Sequence, residues 1–285
     1  MTVSLAAEPL FSLGTLPVTN AVLVGVVVFV GLVAAALMLR SKITVGVPGG
    51  AINLVESILE MLLSTIGGIT HDRKKAEEFF PLIATFFLFI LFSNWTGILP
   101  GLGSVGVYKL IHGEIELVPF LRAPSADLNF TIALALLSVF AAQWYGMKHL
   151  GFFGHWGKFF VPPWKSPYLI GSFVGILELV SEFAKVISFS FRLFGNVFAG
   201  EILLMVVGSL APQGGTLPFL FLEIFVGLIQ ALVFALLTTV FLTIATMEHG
   251  DEGHGSADEE KHVAHEADIK KHYLPAGRQA PAQHA

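Results

Sequence analysis

The stretch whose reading decides the fold runs from Tyr168 to Leu210, YLIGSFVGILELVSEFAKVISFSFRLFGNVFAGEILLMVVGSL. It lacks proline and is mostly apolar, so helix is the state expected of it. A continuous helix of this length would measure about 60 Å, twice the ~30 Å hydrocarbon core of a bilayer, so it must tilt strongly, break, or cross twice. Charged residues interrupt it at Glu178, Glu182, Lys185, Arg192 and Glu201. An arginine at the centre of a membrane helix costs at least ~2.5 kcal/mol, so Arg192 is expected to face a cavity or a partner. At ~100° per residue, Glu178, Ser181, Lys185, Ser188, Arg192 and Asn196 form one polar stripe, and Glu201 points the opposite way from Arg192. Glu178 and Glu182 are spaced to pair with Lys185 as a structural ion cluster. Arg192 has no acid within one turn, and a carboxylate from another chain would supply one.

The rest of the chain agrees with a membrane as solvent. Hydrophobic residues make up 54% and charged residues 13%, and the mean hydropathy is +0.76. The pattern predicts an all-α integral membrane protein with five membrane helices and one amphipathic interfacial helix, the last two helices long. An outer N-terminal segment, 1–17, precedes a membrane domain over 18–247. Its helices are expected near 18–39, 48–70 (interfacial), 79–99, 128–147, 168–210 and 218–247. The interfacial helix would bury Ile52, Leu54, Val55, Ile58, Leu59, Leu62 and Leu63 on one face and leave Glu56 and Glu60 outside it. In the last helix Glu223 and Gln230 share a face with Gly227, which permits close approach of another helix. A polar connection runs from Gly101 to Asp127, and a charged, His-rich tail over 248–285 is too polar to build a core.

Lysine and arginine set the orientation. Arg40, Lys42, Arg73, Lys74, Lys75, Lys148, Lys158 and Lys165 fall on one side, and Lys109 and Arg122 on the other. The larger set marks the cytoplasm, which puts the N-terminus outside and, with five crossings, the tail inside; a sixth crossing within 168–210 would reverse the tail. A net charge of −5 offers no basic face for nucleic acid, and the absence of cysteine excludes thiolate chemistry. The irregular spacing of the tail histidines suits a solvated segment rather than a metal site. No phosphate-cradling Gly-Lys loop is present, so neither a cofactor nor direct nucleotide binding is expected.

One run carries more: Ser188-Phe-Ser-Phe-Arg192-Leu-Phe-Gly-Asn196-Val-Phe-Ala-Gly-Glu201 resembles the signature of the F-type ATP synthase a-subunit family, with Arg192 at the place of its essential arginine. Similar matches occur from Phe80 to Pro100, from Arg122 to Thr131, and at Gln230. The resemblance covers roughly residues 10–248 and implies a chain that translocates protons without performing nucleotide chemistry itself. Its two long final helices would lie strongly tilted against a ring of c subunits, with b-type peripheral stalk subunits as further partners, in the plasma membrane of a bacterium. The resemblance assigns Arg192 to the ring carboxylate. It assigns Asn196, Glu201, Glu223 and Gln230 to an outer proton half-channel, and Glu178 and Ser181 to an inner one. Some members carry histidine where this chain has Glu223. A stand-alone secondary transporter is the alternative, though no internal repeat of the kind many transporters show is evident.

Overall fold

The computed structural model describes residues 9–13, 16–40, 50–99, 106–111, 114–119, 122–156, 170–211 and 214–247. Their long helices are α1 (Asn20–Arg40), α2 (Ala51–Thr70), α3 (Arg73–Ile98), α4 (Leu128–Leu150), α6 (Ile170–Leu210) and α7 (Leu217–Ala245), with a short α5 (Phe152–Trp156) after α4. All 6 long helices have the length and apolar composition to cross a membrane. The protein is a helical, multi-pass membrane protein. Residues up to Thr246 form one compact unit, and the His-rich tail lies outside the described residues.

Local chemistry explains several boundaries. Although the apolar run begins at Phe79, α3 starts six residues earlier, at Arg73, because the Asp72 side chain accepts a hydrogen bond from the Lys74 backbone N–H and caps the first turn. The preceding helix ends at His71, whose left-handed backbone (φ 51°) lets its N–H reach the Gly67 carbonyl at 3.0 Å. Asp127 caps α4 by accepting from the Asn129 N–H. Ile170–Leu210 is one uninterrupted helix of 41 residues, so of the three alternatives for this stretch breaking and crossing twice fall away.

The helical expectation needs one addition in the connections. β1 (Pro9–Leu13) pairs antiparallel with β2 (Leu16–Thr19), and β3 (Gly106–Ile111) pairs with β4 (Glu114–Pro119). The second hairpin occupies part of the stretch read as a featureless polar link. Its apolar residues are few, and only Ile115 and Leu117 of β4 alternate, too little to register against the stronger helical periodicity on either side.

The core lies where α3, α4, α6 and α7 meet. Gly227, Ala231 and Ala235 recur every four residues along one buried face of α7, and these small side chains let α3 approach closely. Asn94 donates to the Gly227 carbonyl at 3.0 Å and Trp95 to the Ile224 carbonyl at 3.2 Å, which fixes α3 against the start of α7. Lower down, Phe234 meets Phe86 of α3 and Phe189 of α6, with ring centroids 5.5 and 4.9 Å apart. Ser138 of α4 and Thr238 of α7 share a hydrogen bond of 2.9 Å between fully buried hydroxyls. In α2 the face bearing Leu62 and Ile66 is buried and Glu56 and Glu60 point outward, but Leu54, expected on the apolar face, is 63% exposed. It lies about 100° from Val55 on the helix, at the margin of the face that α3 covers.

Between β4 and α4 the chain dips into the end of the bundle. A single 3-10 turn, Pro124–Ala126, is buried among α1, α3, α4 and α6, and Arg122, Ala123 and Asp127 on either side of it are also buried. Gly97 of α3 makes room for it: a Cβ there would stand 2.5 Å from that of Ala123. Gly97→Ala is therefore expected to destabilise the chain by roughly 1–3 kcal/mol. Gly67→Ala, where the space is open, is expected to be neutral or stabilising. Thermal unfolding of the two variants in detergent checks both.

Candidate functional site

Arg192 sits about midway along α6 on a face that no other described helix covers. Phe183, Ile187 and Phe191 beside it are more than half exposed. Its guanidinium donates to Ser188 Oγ, one turn back, at 3.5 Å. No carboxylate among the described residues lies within ion-pair distance of it. Across the α6–α7 seam Arg192 and Gln230 line one shallow crevice, floored by Phe189, Leu193, Phe234 and Leu237. Asn196, one turn further along α6, is half-buried.

Nearer the end of the bundle that holds the buried turn, a second group assembles. Glu201 points away from the Arg192 stripe, as helical geometry requires, and meets Arg122, with Nη2 and Oε2 3.3 Å apart. The Arg122 side chain is only 7% exposed and that of Glu201 32%. The third member comes from α7: the Glu223 carboxylate lies directly on Gly200, filling the space that a Cβ there would need, and is within reach of the Glu201 charge. Glu223 has no hydrogen-bond or ion-pair partner among the described residues. Asn94 and Trp95 hold the α7 backbone within one turn of it, so its position is set by α3.

Toward the opposite end, Lys185 pairs with Glu182 at 2.5 Å and lies over the Phe241 ring, 4.7 Å from its centroid. The three-member cluster expected from the sequence is thus a pair. Glu178 is half-buried, Ser181 is exposed, and neither has a polar side-chain partner among the described residues. At this end Glu78 of α3 also accepts from Lys148 at 2.6 Å and contacts His149 at 3.1 Å, clasping the start of α3 to the end of α4. Among the described residues no group of three or more His, Asp or Glu side chains is placed to hold a metal.

The sequence resemblance set Arg192 apart and grouped Gln230 with Asn196, Glu201 and Glu223. The structure makes two clusters, one around Arg192 and one around Glu201. It also adds Arg122, which the sequence reading counted among the outer charges and in a supporting family match but gave no role in the site. The available signal was the Arg122-Ala-Pro-Ser-Ala-Asp127 run: small residues around a proline, ending in a helix cap, suit a turn that enters a packed bundle.

The sequence profile described as ATP synthase A chain matches residues 19–243. The chain belongs to that family. Among its relatives, the protein named ATP synthase subunit a from Helicobacter pylori strain Shi470 is 34% identical over 210 residues, which is 73% of this chain and 80% of the relative, and its counterpart from strain G27 gives the same figures. Membership in the ATP synthase A chain family assigns the chain a role in the membrane sector of an F-type ATP synthase, in a complex with other subunits.

The half-buried Glu182–Lys185 pair of this family member has a measurable signature. Lys185→Met leaves Glu182 partly buried and uncompensated. It is expected to cost more stability than the double change Lys185→Met/Glu182→Gln, with a coupling of about 0.5–3 kcal/mol in a double-mutant unfolding cycle.

Proposed function

We propose that this chain is the stator half of a rotary proton motor, in which Arg192 faces the carboxylate carried by each subunit of a rotating c ring. The observation that carries this reading is Arg192 itself. It is a fixed cation in a long apolar helix, exposed on an uncovered face and without an acid of its own among the described residues. A carboxylate turning through lipid must be neutral, because hydrocarbon disfavours its charge. Opposite Arg192 it ionises again. At an effective dielectric near 20, a charge pair ~4 Å apart gains about 4 kcal/mol, enough to offset roughly 3 pK units of burial.

Two offset half-channels then do the rest. Asn196, Glu201, Glu223 and Gln230 lead inward from the outer face, and Glu178 and Ser181 lead to the cytoplasmic one. The Arg192–Gln230 crevice and the Glu201–Glu223 juxtaposition both lie on the α6–α7 seam, which supports a polar route along it. A cation between the two channels repels a proton moving straight across, so protons travel by way of the ring, driven by ~2.3 kcal/mol per charge per 100 mV. Basic residues at Arg40 and Arg73 to Lys75 mark the cytoplasmic end. With α2 lying in the interface, its Glu56 and Glu60 toward water, five helices cross. The N-terminus is then outside and the tail in the cytoplasm of a bacterium. Peripheral stalk subunits of b type hold the stator still, and nucleotide chemistry stays with the soluble sector.

ATP-driven proton pumping by membrane vesicles carrying the whole complex tests this. Arg192→Ala is expected to abolish pumping while the soluble sector continues to hydrolyse ATP; pumping at the wild-type rate would remove the arginine from the mechanism.

A further inference from the structure

Two carboxylates side by side are not both kept ionised unless a cation balances the pair. Here, of these two acids, the cation Arg122 pairs with Glu201 and not with Glu223. Arg122 reaches Glu201 at 3.3 Å from a segment buried in the bundle end, whereas Glu223, seated on Gly200, has neither ion-pair nor hydrogen-bond partner among the described residues. Among the described residues, the charged groups of the buried segment and of α4 do not alter this balance. Asp127, on the same buried segment, is committed to capping α4, and α4 carries no charged side chain between Leu128 and Met147.

We propose that the two acids divide the work: Arg122 is a positioning residue that holds Glu201 as a fixed anion, and Glu223 is the group that takes up the entering proton and passes it on. Glu223 gains one proton from the outer water to become the neutral acid and returns to carboxylate when it hands that proton toward the ring. Arg122 and Glu201 keep their charges throughout. The Arg122–Glu201 pair also pins the buried turn to α6, while the missing Cβ of Gly200 leaves room for the Glu223 carboxylate. This rests on the reading of the cluster as the proton entry.

The test uses vesicles carrying the assembled complex, with ATP-driven pumping and ATP hydrolysis measured for each variant. Arg122→Gln leaves Glu201 as an unbalanced, partly buried anion beside Glu223 and is expected to lose pumping. Arg122→Lys, which keeps the charge, is expected to retain it. The double variant Arg122→Gln/Glu201→Gln restores the balance of charge and is expected to recover pumping relative to Arg122→Gln. Glu223→Gln is expected to be silent alone and in the double background.

A silent, fully assembled double variant together with a pumping Glu223→Gln would overturn the division and make Glu201 the carrier, with the entry still at this cluster. Normal pumping by Arg122→Gln, Glu201→Gln and Glu223→Gln alike would overturn the reading of the cluster as the entry and the division with it. Should Arg122→Gln fail to assemble, the double variant and Glu223→Gln decide the matter between them.

Discussion

A charge in hydrocarbon must be paired, neutralised or held in a polar cavity, and the arrangement of this bundle follows from where each of its buried charges finds its counterpart. Lys185 finds Glu182 on its own helix, and Arg122 finds Glu201 only because a turn between β4 and α4 is folded back into the bundle end. Among the described residues Arg192 finds only a hydroxyl. The apolar packing of α3, α4 and α7 behind α6 supports this unbalanced cation on an open face and gives it no acid. A chain built only to anchor other subunits would have no use for such an arrangement.

In the proposed mechanism, the seam between α6 and α7 turns that imbalance into a route. The small residues Gly227, Ala231 and Ala235 bring α7 close to α3, and Asn94 and Trp95 lock its first turns by their carbonyls. With α7 held there, Gln230 lines a crevice with Arg192, and the Glu223 carboxylate lies on Gly200. The polar positions are thus placed by apolar and small-residue packing a helix away, and a change at Gly227 or Asn94 would displace the carboxylate without touching it.

The helical membrane class was legible in the sequence because long apolar runs and a polar stripe are local signals, readable residue by residue. The resemblance carried by the run from Ser188 to Glu201 likewise pointed to the family that the sequence comparisons bear out. What was not legible depended on long-range packing. Nothing near Arg122 in the chain announces that its partner is Glu201, and nothing near Glu223 announces Gly200. The continuity of α6 was also open, since length and composition permit a tilt, a break or a return, and only its neighbours decide. The hairpin of β3 and β4 was missed because its alternation is short and lies between stronger helical periods. Leu54 was misplaced because a wheel drawn around α2 cannot say how wide a face α3 will cover.

The central claim is that the open face around Arg192 meets the rotor. The chain contains no cysteine, so Gly195→Cys, on the exposed face one turn from Arg192 with nothing within 4 Å of its would-be Cβ, gives a unique thiol there. In the assembled complex, with a second cysteine placed one turn from the carboxylate of the ring subunit, mild oxidation is predicted to give an a–c disulfide that stalls pumping until it is reduced. An assembled complex in which that thiol stays free and pumping continues would contradict the account.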